Sequence, residues 1–224
     1  MKLTLNVSLA GKTAVITGAG GVICGCMAKV LAEAGANVAV LDINETAAKK
    51  VAEEIIAAGG TALAVGCDVL SAESLKEAHE LVARTYGPCR ILVNGAGGNN
   101  PRATTAGEFF DSSQLGREKT FFDIDKESWK FVFDLNFTGT FLTTQEFARD
   151  MLGGEACSII NIASVNTFLP LTKIPAYAAA KEAVGNFTKW LATYFAGTGI
   201  RVNAIAPGFL STHQTQALFY EADG

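Results

Sequence analysis

Short apolar runs alternate along the chain with longer segments in which apolar residues recur at helical spacing. Each run holds four to six residues, rich in Val, Ile, Leu and Ala, a length typical of strands that are buried on both faces. The predicted strands are Thr13–Thr17, Asn37–Asp42, Ala62–Gly66, Arg90–Val93, Ser158–Ile162 and Ile200–Ile205. The predicted helices are Val22–Ala34, Glu45–Ala58, Ser71–Tyr86, a largely helical Lys126–Met151, and Pro175–Ala196.

This alternation predicts an α/β protein in which helices cover both faces of a parallel sheet. The sequence has no internal repeat and no linker rich in Pro, Gly or Ser, so residues 1–224 are interpreted as a single domain. Sheets of this kind bind ligands at the carboxyl ends of their strands. Polar residues that directly follow a strand are therefore the first candidates for chemistry.

The longest irregular segment, residues 95–125, is predicted to be a loop or insertion after the fourth strand. Loops of this length in compact domains usually serve a function or contain small elements of their own. Two phenylalanine pairs, Phe109–Phe110 and Phe121–Phe122, lie in it. They suggest that the segment is tethered, either as a lid or at a subunit contact.

The composition excludes several classes of protein. A net charge of −4 gives no basic footprint for nucleic acid, and no apolar run approaches the roughly 20 residues that cross a membrane. Residues 1–8 lack the apolar core of a signal peptide. The five cysteines lack the spacing of a zinc site, so no metal is predicted, and reduced thiols indicate the cytoplasm. These cysteines are Cys24, Cys26, Cys67, Cys89 and Cys157.

The turn after the first strand is rich in glycine, from Thr17 to Gly25. Glycines there allow close approach of a pyrophosphate, and the start of the next helix offers free N–H groups. Asp42 ends the second strand, where a carboxylate accepts ribose hydroxyls and repels a 2′-phosphate. Asp68 follows the third strand, where a carboxylate can accept from an adenine amino group. Plain interpretations also fit: Asp42 as a cap and Asp68 as a turn residue.

Three residues further along the chain are candidates for proton transfer. Tyr177 and Lys181 stand four apart in an Ala-rich segment, so a helix would place them on one face. A phenol titrates near pH 10, and a neighbouring ammonium is expected to lower that pKa. Ser164 ends the fifth predicted strand and can meet them at the sheet edge. Taken alone, the Tyr-x-x-x-Lys spacing is more often a surface pair.

Together these motifs resemble the short-chain dehydrogenase/reductase family over about residues 9–209. Asn94–Gly97 is similar to the family's Asn-Asn-Ala-Gly turn, and Pro207-Gly208 to its turn beside the nicotinamide. The catalytic tetrad of the family is matched by Asn136, Ser164, Tyr177 and Lys181. The resemblance implies a Rossmann-type, doubly wound, three-layer α/β/α fold, of which six strands are visible in this sequence.

The resemblance also implies roles for these residues. Tyr177 would act as general acid and base, and Lys181 would lower its pKa and bind the nicotinamide ribose. Ser164 would donate to the substrate oxygen, and Asn136 would hold a water that links Lys181 to solvent. NAD is expected rather than NADP because of Asp42. The implied cofactor-binding residues are Gly18, Gly20, Gly21, Val22, Ile23, Asp42, Asp68, Val69, Asn94, Ala96, Gly97, Tyr177, Lys181, Pro207 and Gly208.

The sequence departs from the family pattern at three sites. Val22 and Cys24 replace the second and third glycines of the first motif, and Gly95 replaces the second Asn of the later turn. We expect the glycine turn to be rebuilt one residue earlier without loss of binding. Residues 209–224 are expected to begin the substrate-binding segment, and the chain stops at Gly224 without a seventh strand. This indicates a truncated product or a partner that covers the sixth strand.

Within the family, segments 18–24, 94–105 and 168–177 are similar to those of D-mannonate oxidoreductases, or fructuronate reductases. This implies a sugar acid as the small-molecule substrate, whose carboxylate needs a cation or an N–H cluster. Arg102 and Lys173 are the candidate cations, although each fits a solvated surface charge equally well. Asn99 is a candidate for binding hydroxyls, and His213 lies in the expected substrate loop. His79 is predicted to be a surface residue.

Two other functions stay open at this stage. One is reduction of another carbonyl, such as a polyol precursor, a steroid or a 3-oxoacyl thioester; the other is a dinucleotide-sensing protein without catalysis. The resemblance further implies a homodimer or homotetramer, with the helices around Asn136 and Tyr177 at its faces. An apolar stretch in the last helix fits such a face, or faces the sheet instead. It comprises Phe187, Trp190, Leu191, Tyr194 and Phe195.

Overall fold

A computed structural model describes residues 7–210 and contains one six-stranded parallel sheet. Its strands are β1 (Thr13–Thr17), β2 (Asn37–Asp42), β3 (Thr61–Gly66), β4 (Cys89–Asn94), β5 (Ser158–Ile162) and β6 (Arg201–Ile205). Their spatial order is β3-β2-β1-β4-β5-β6. Successive strands are added to one side of β1 up to β3 and to its other side from β4 onward. The point between β1 and β4 is where doubly wound sheets open a ligand crevice. The predicted α/β fold class is confirmed.

Residues 7–210 contain six α-helices, which flank this sheet. They are α1 (Val22–Glu33), α2 (Glu45–Ala57), α3 (Ala72–Tyr86), α4 (Lys126–Phe133), α5 (Gly139–Phe147) and α6 (Pro175–Tyr194). Alternate strand residues point to opposite faces, so Ala14 and Ile16 pack towards α1 and α2 while Val15 packs with Phe147 of α5. Two separate apolar cores therefore hold the sheet between its helical layers. Among residues 7–210, no helix has the length and apolar character that crossing a membrane demands.

The helix predicted over Lys126–Met151 is interrupted by a π-helical turn at Asp134–Thr138. Asn136 lies in this turn, and its Nδ2 donates to the Val132 carbonyl at 2.8 Å. A continuous α-helix would pair that carbonyl with the backbone N–H of residue 136, so the side chain competes with the regular ladder. The extra residue per turn re-aims Asn136 into the protein, where it is fully buried.

Residues 95–125 form a compact extension built on three 3₁₀ turns, Pro101–Ala103, Ser112–Gln114 and Phe121–Asp123. Thr105 N donates to Lys173 O at 2.9 Å and so ties the extension to the segment before α6. Phe110 and Phe122 meet edge to face with ring centroids 5.8 Å apart. Together with the segment around Lys173, the extension borders a cavity of about 350 Å³. The tether is thus a backbone hydrogen bond, whereas all four phenylalanines of the segment are exposed, so their predicted role as a lid or subunit contact stays a prediction.

His79 is partly buried in α3 rather than a surface residue, and it bridges two acids. Its Nδ1 lies 2.7 Å from Glu146 Oε1 and its Nε2 lies 3.0 Å from Asp150 Oδ2. Burial lowers the pKa of His79, but the hydrogen bonds and charges of Glu146 and Asp150 outweigh burial and raise it above its ordinary value. With both ring nitrogens facing carboxylates, the imidazolium is the form that this site stabilises.

Replacing His79 by Leu is expected to destabilise the fold by about 1 kcal/mol at pH 6 and by less at pH 9. Because the folded pKa is raised, the stabilisation is fully present below the unfolded pKa near 6.5 and is lost as pH rises through the folded pKa. The unfolding temperatures of both proteins at the two pH values measure this. A deficit of about 3 °C at pH 6 that did not shrink at pH 9 would contradict a charged His79.

The five cysteines are all free, and only Cys26 is exposed. Burial raises the pKa of Cys24 and of Cys67 to about 11, so both are thiols at neutral pH. Within residues 7–210, no three or more His, Cys, Asp or Glu side chains converge as metal ligands would. The buried thiols therefore act as small apolar side chains in the two cores.

Candidate active site

The glycine turn between β1 and α1 lies in the crevice where the sheet reverses. Gly18 has a φ of +65°, and a Cβ on it would lie 2.8 Å from the Gly95 carbonyl oxygen. Gly21 caps α1, whose first two residues are Val22 and Ile23. Only glycine fits the first of these positions, and free N–H groups at the start of α1 face the crevice. This is a cradle into which a pyrophosphate fits.

Asp42 at the end of β2 is held against this turn. Its Oδ2 accepts from Gly20 N at 3.0 Å and its Oδ1 accepts from Asn44 N at 2.9 Å. A Cβ at position 20 would lie 2.9 Å from Asp42 Oδ2, so glycine at that position keeps the carboxylate close. The carboxylate thus stands at the mouth of the crevice with its orientation fixed by two backbone donors.

Asp68 and Val69 follow β3 at the next position along the edge. Asp68 Oδ1 accepts from Leu70 N at 2.9 Å, and Asp68 N donates to Ser74 Oγ at 3.0 Å. Val69 is buried, and a Cβ on Gly139 would lie 2.8 Å from its Cγ2. Asp68 therefore shapes its own turn, and Val69 packs tightly on the start of α5.

Thr17, at the end of β1, is a site residue that the sequence did not single out. Its Oγ1 accepts from Gly95 N at 3.0 Å and from Ala96 N at 3.2 Å. The hydroxyl therefore fixes the turn after β4 beside the glycine turn after β1. Its place immediately before Gly18 is the signal that could have identified it.

Cys24 and Gly95 face each other across the same crevice. A Cβ on Gly95 would lie less than 3.0 Å from Cys24 Sγ, a separation that real Cβ atoms essentially never show. The Cys24 thiol thus occupies the space that a side chain at position 95 would need. The larger residue at position 24 therefore fills the space left by the smaller residue at position 95. These two departures from the family pattern compensate for one another.

Asn94 donates both of its amide hydrogens to other side chains inside the protein. Its Nδ2 donates to Thr144 Oγ1 and to Asn161 Oδ1, both at 2.8 Å, and Asn161 Nδ2 donates to Thr188 Oγ1 at 2.9 Å. Its Oδ1 is buried without a protein partner. This chain of amides and hydroxyls joins β4, β5, α5 and α6 beneath the crevice, so the Asn94 side chain chiefly holds those elements in register.

Asn136 fixes the backbone that follows the Gly95–Gly97 turn. Its Nδ2 donates to Gly98 O at 2.7 Å, and its Oδ1 accepts from Gly98 N at 3.2 Å. A Cβ on Gly97 would lie 2.6 Å from Asn136 Oδ1 and 3.4 Å from Lys181 Nζ. Gly97 is therefore the point at which Asn136 and Lys181, two of the predicted tetrad residues, come together.

Tyr177 and Lys181 lie in the first two turns of α6, with Lys181 Nζ 5.5 Å from the centre of the Tyr177 ring. Lys181 is buried, and its Nζ donates to Ile162 O at 2.8 Å. Burial lowers the pKa of Lys181 to about 8. The ammonium is thus a stronger acid than that of an exposed lysine, and it is held at the end of β5 by one carbonyl.

The expected lowering of the Tyr177 pKa is wrong for this structure. Burial raises the pKa of the phenol above its ordinary value, and a hydrogen bond from Ser164 only partly offsets that effect. At neutral pH Tyr177 is accordingly protonated, and its hydroxyl has Ser164 as a neighbour. The phenol is therefore set up as a proton donor.

Ser164 begins a 3₁₀ turn, Val165–Thr167, directly after β5. Its Oγ accepts from both the backbone N and the side-chain Nδ2 of Asn166, each at 3.2 Å. Thr167 Oγ1 accepts from Ser164 N at 3.3 Å and donates to Lys181 O at 3.0 Å. A Cβ on Gly185 would collide with the Thr167 methyl group, so α6 packs closely on this turn. Asn166 and Thr167 are further site residues that sequence reasoning missed.

The predicted substrate residues do not meet at one point, unlike the residues at the ends of the strands. Arg102 is exposed and pairs with Asp125 Oδ2 at 3.2 Å. Lys173 is exposed, has a φ of +69°, and borders the cavity of the 95–125 extension. Asn99 is exposed, and His213 lies outside the described residues. None of Ser164, Tyr177 and Lys181 borders that cavity. The two cations therefore differ in that Arg102 already has a carboxylate partner, whereas Lys173 has no ion pair within residues 7–210.

Pro207 and Gly208 follow β6, where Pro207 O accepts from Val165 N at 3.1 Å. This bond puts the Pro-Gly turn directly beside the turn that carries Ser164. The polar residues at the ends of β1, β4, β5 and β6 thus share one edge of the sheet. A dinucleotide fits here, since the glycine turn offers a phosphate cradle and Asp42 a hydroxyl acceptor at its far end.

Comparison with known proteins agrees with this arrangement. A family model described as short chain dehydrogenase matches residues 12–223. An uncharacterised oxidoreductase of Haemophilus influenzae is 52% identical over 224 residues, which is 100% of this chain and 79% of the relative. The uncharacterised oxidoreductase UxuB of Bacillus subtilis is 47% identical over 222 residues, 99% of this chain and 79% of the relative.

A solved structure from Haemophilus influenza has a closely similar fold. It holds bound NAD, and D-mannonate oxidoreductase activity has been ascribed to that protein. The TM-score is 0.94 and the sequence identity 53%, with 98% of this chain and 78% of that chain covered.

Proposed function

The chain belongs to the short-chain dehydrogenase family, and from that premise we propose that it is an NAD-dependent oxidoreductase for a sugar acid. The reaction would interconvert a secondary alcohol and a ketone of the D-mannonate/D-fructuronate type. The observation that carries the proposal is the meeting of Ser164, Tyr177 and Lys181 beside the glycine turn and Asp42. The relatives of known structure support the same cofactor, since one of them holds NAD.

Tyr177 transfers the proton in this mechanism. In reduction, its phenol donates to the carbonyl oxygen while hydride arrives at the carbon; in oxidation, its phenolate takes the hydroxyl proton while hydride leaves the same carbon. When bound, NAD would accept the hydride in oxidation, and NADH would donate it in reduction. Because burial favours the protonated phenol, the unliganded site holds Tyr177 in the form that reduction requires.

Ser164 and Lys181 support this transfer from two sides. Ser164 donates a hydrogen bond to the oxygen on which charge develops, as an oxyanion donor does. Lys181 contributes a buried positive charge that favours the phenolate when Tyr177 gives up its proton. Asn136 keeps the backbone at Gly98 fixed next to this pair, so that the geometry survives binding.

A panel of substrates tests the proposed function. Purified protein with NAD is offered D-mannonate, other aldonates and neutral polyols, and with NADH it is offered D-fructuronate and 3-oxoacyl thioesters. Highest kcat/KM on a sugar acid supports the proposal. Preference for a polyol or a thioester would favour the alternative carbonyl reductase, and NAD binding without turnover of any compound would favour a sensor.

We expect Lys173 rather than Arg102 to bind the substrate carboxylate. Lys173→Met should raise KM for the sugar acid about tenfold and leave a neutral polyol unaffected, since a charged hydrogen bond contributes about 1.5–3 kcal/mol. Arg102→Met is the matched control, because Arg102 is already paired with Asp125. If KM rises equally for the acid and the polyol, or rises more in the Arg102 variant, then Lys173 does not bind the substrate carboxylate.

Asp42 is expected to set the preference for NAD. Asp42→Asn keeps the shape and an acceptor for Gly20 N but removes the charge that would repel a 2′-phosphate. The ratio of kcat/KM for NAD over NADP should fall about tenfold or more. Asp68→Asn, one strand further along, serves as the control. An unchanged ratio in the Asp42 variant would show that this carboxylate does not set the preference for NAD.

The proposal includes a homodimer or homotetramer. Trp190 and Tyr194 stack on the outer face of α6 with ring centroids 4.8 Å apart, and both are exposed. Leu191 of the same stretch is buried instead, so the predicted stretch divides between sheet and surface. Phe141 of α5 is also exposed and extends the aromatic stripe across two helices. Such a stripe on the two helices near the tetrad supports a subunit contact.

A further inference from the structure

Asn166 has a polar contact with Ser164 that nothing in the family pattern requires. It is buried, with 6% of its surface exposed, and lies two residues after Ser164. Its Oδ1 accepts from Leu171 N at 3.3 Å, and its Nδ2 donates to Ser164 Oγ at 3.2 Å. Because the Leu171 N–H can only donate, the amide oxygen must face it and the NH₂ group must face Ser164.

This contact determines what the Ser164 hydroxyl can do. A serine oxygen has two lone pairs and one hydrogen. The backbone N and the Nδ2 of Asn166 both donate to that oxygen and so occupy its acceptor capacity. The single Ser164 hydrogen is then left to be donated, and the Tyr177 hydroxyl is its neighbour. A hydroxyl that accepts two hydrogen bonds is also a stronger donor, because chained hydrogen bonds polarise one another.

We propose that Asn166 is a positioning residue that holds Ser164 as a hydrogen-bond donor towards the Tyr177 oxygen and the substrate oxygen. Its side chain does not touch the reacting atoms but acts through Ser164 Oγ. Without it, Ser164 can rotate and accept a hydrogen bond from Tyr177, which withdraws the donor from the developing negative charge. The proposal deepens the proposed function, because it concerns the same proton-transfer site.

The first test needs no substrate. Absorbance titration of the phenolate, taken as the difference between the protein and Tyr177→Phe, gives the pKa of Tyr177 with and without Asn166→Leu. Weaker donation by Ser164 should raise that pKa, whereas Thr193→Val, on the outer face of α6, should leave it unchanged. Lys181, whose Nζ lies 5.5 Å from the centre of the Tyr177 ring, is unchanged in both variants. An unchanged Tyr177 pKa in a folded Asn166→Leu protein overturns the proposal, whatever the substrate proves to be.

The second test is a double-mutant cycle on turnover. Asn166→Leu should lower kcat about tenfold, with KM and NADH binding little changed, as loss of one hydrogen bond to a charged group predicts. In the Ser164→Ala background, the same substitution should cost nothing further, because its target is gone. An equal loss in both backgrounds would show a purely structural role and overturn the proposal. Asn166→Asp, which keeps the shape but turns an acceptor towards Ser164, should be at least as slow as Asn166→Leu.

These tests separate failure of the inference from failure of the proposed function. If the parent protein turns over no sugar acid but the Tyr177 pKa responds to Asn166, the substrate assignment fails and the positioning role stands. Retained NADH fluorescence enhancement and an unchanged unfolding temperature establish that each variant is folded. If Asn166→Leu does not fold, the Asn166→Ala protein provides the same readouts without adding a charge.

Discussion

Tyr177→Phe is expected to lower kcat by about 10² to 10⁴-fold while NAD binds with nearly unchanged affinity. The substitution removes only the hydroxyl that exchanges a proton with the substrate oxygen. The ring that packs beside Lys181 stays, so the shape of the pocket is preserved. The loss should appear in kcat and kcat/KM alike, because the proton is transferred only in the transition state.

Steady-state turnover and NADH fluorescence titration measure the two halves of this prediction. Tyr194→Phe is the matched control, since Tyr194 lies on the same helix but is exposed and far from Ser164 in sequence. Near-normal turnover by the Tyr177 variant would refute general acid–base catalysis by this residue. Parallel loss of NAD affinity would instead point to damage of the cofactor pocket.

Gly95→Ala is expected to destabilise the fold by about 2 kcal/mol, and Cys24→Ala is expected to relieve much of that cost. The new Cβ would overlap Cys24 Sγ, yet it would lie 3.5 Å from Cys24 Cβ, an ordinary contact. Removing the sulfur alone therefore opens the space. The Cβ would also lie 2.9 Å from Thr17 O, so the relief is incomplete.

Denaturant unfolding of the parent, both single variants and the double variant gives the coupling energy. We expect at least about 1 kcal/mol of favourable coupling between positions 24 and 95. Cys26→Ala is the control on the same helix, because Cys26 is exposed and does not face Gly95. Additive effects of Gly95→Ala and Cys24→Ala would contradict the conclusion that the Cys24 thiol fills the space beside Gly95.

The layout of the sheet was predictable because it follows from local pattern. Runs of buried β-branched and aliphatic residues gave the six strands within one or two residues of their observed ends, and Asn44 and Ser71 cap helices as their types suggest. Asp42 was identified for a similar reason: a carboxylate at the end of the second strand falls beside the glycine turn whenever the sheet is parallel.

The electrostatics of the site were not predictable from spacing. The four-residue separation of Tyr177 and Lys181 predicts proximity, but it does not show how deeply the helix is buried, and burial decides the sign of the Tyr177 pKa shift. The same limit applies to His79, whose partners Glu146 and Asp150 lie about 70 residues away in sequence. Contacts between distant segments need the folded structure.

Side-chain pairs across the crevice were hidden for the same reason. The replacements at positions 24 and 95 looked like separate departures, because nothing in a single sequence links residues that are so far apart. Arg102 seemed free for a carboxylate until its pairing with Asp125 was visible. Asn166 carries no local signal, since an Asn after a strand is ordinarily a turn residue.

Thr167 has a mechanical consequence for turnover. One hydroxyl links the backbone of Ser164 to the backbone of Lys181, and Gly185 lets the helix sit directly on that threonine. The strand end and the helix are thereby joined through one side chain, and we expect this link to keep Ser164 and Lys181 at a fixed separation during turnover. Substrate exchange would then depend on movement of the bordering segments, residues 98–125 and 168–174.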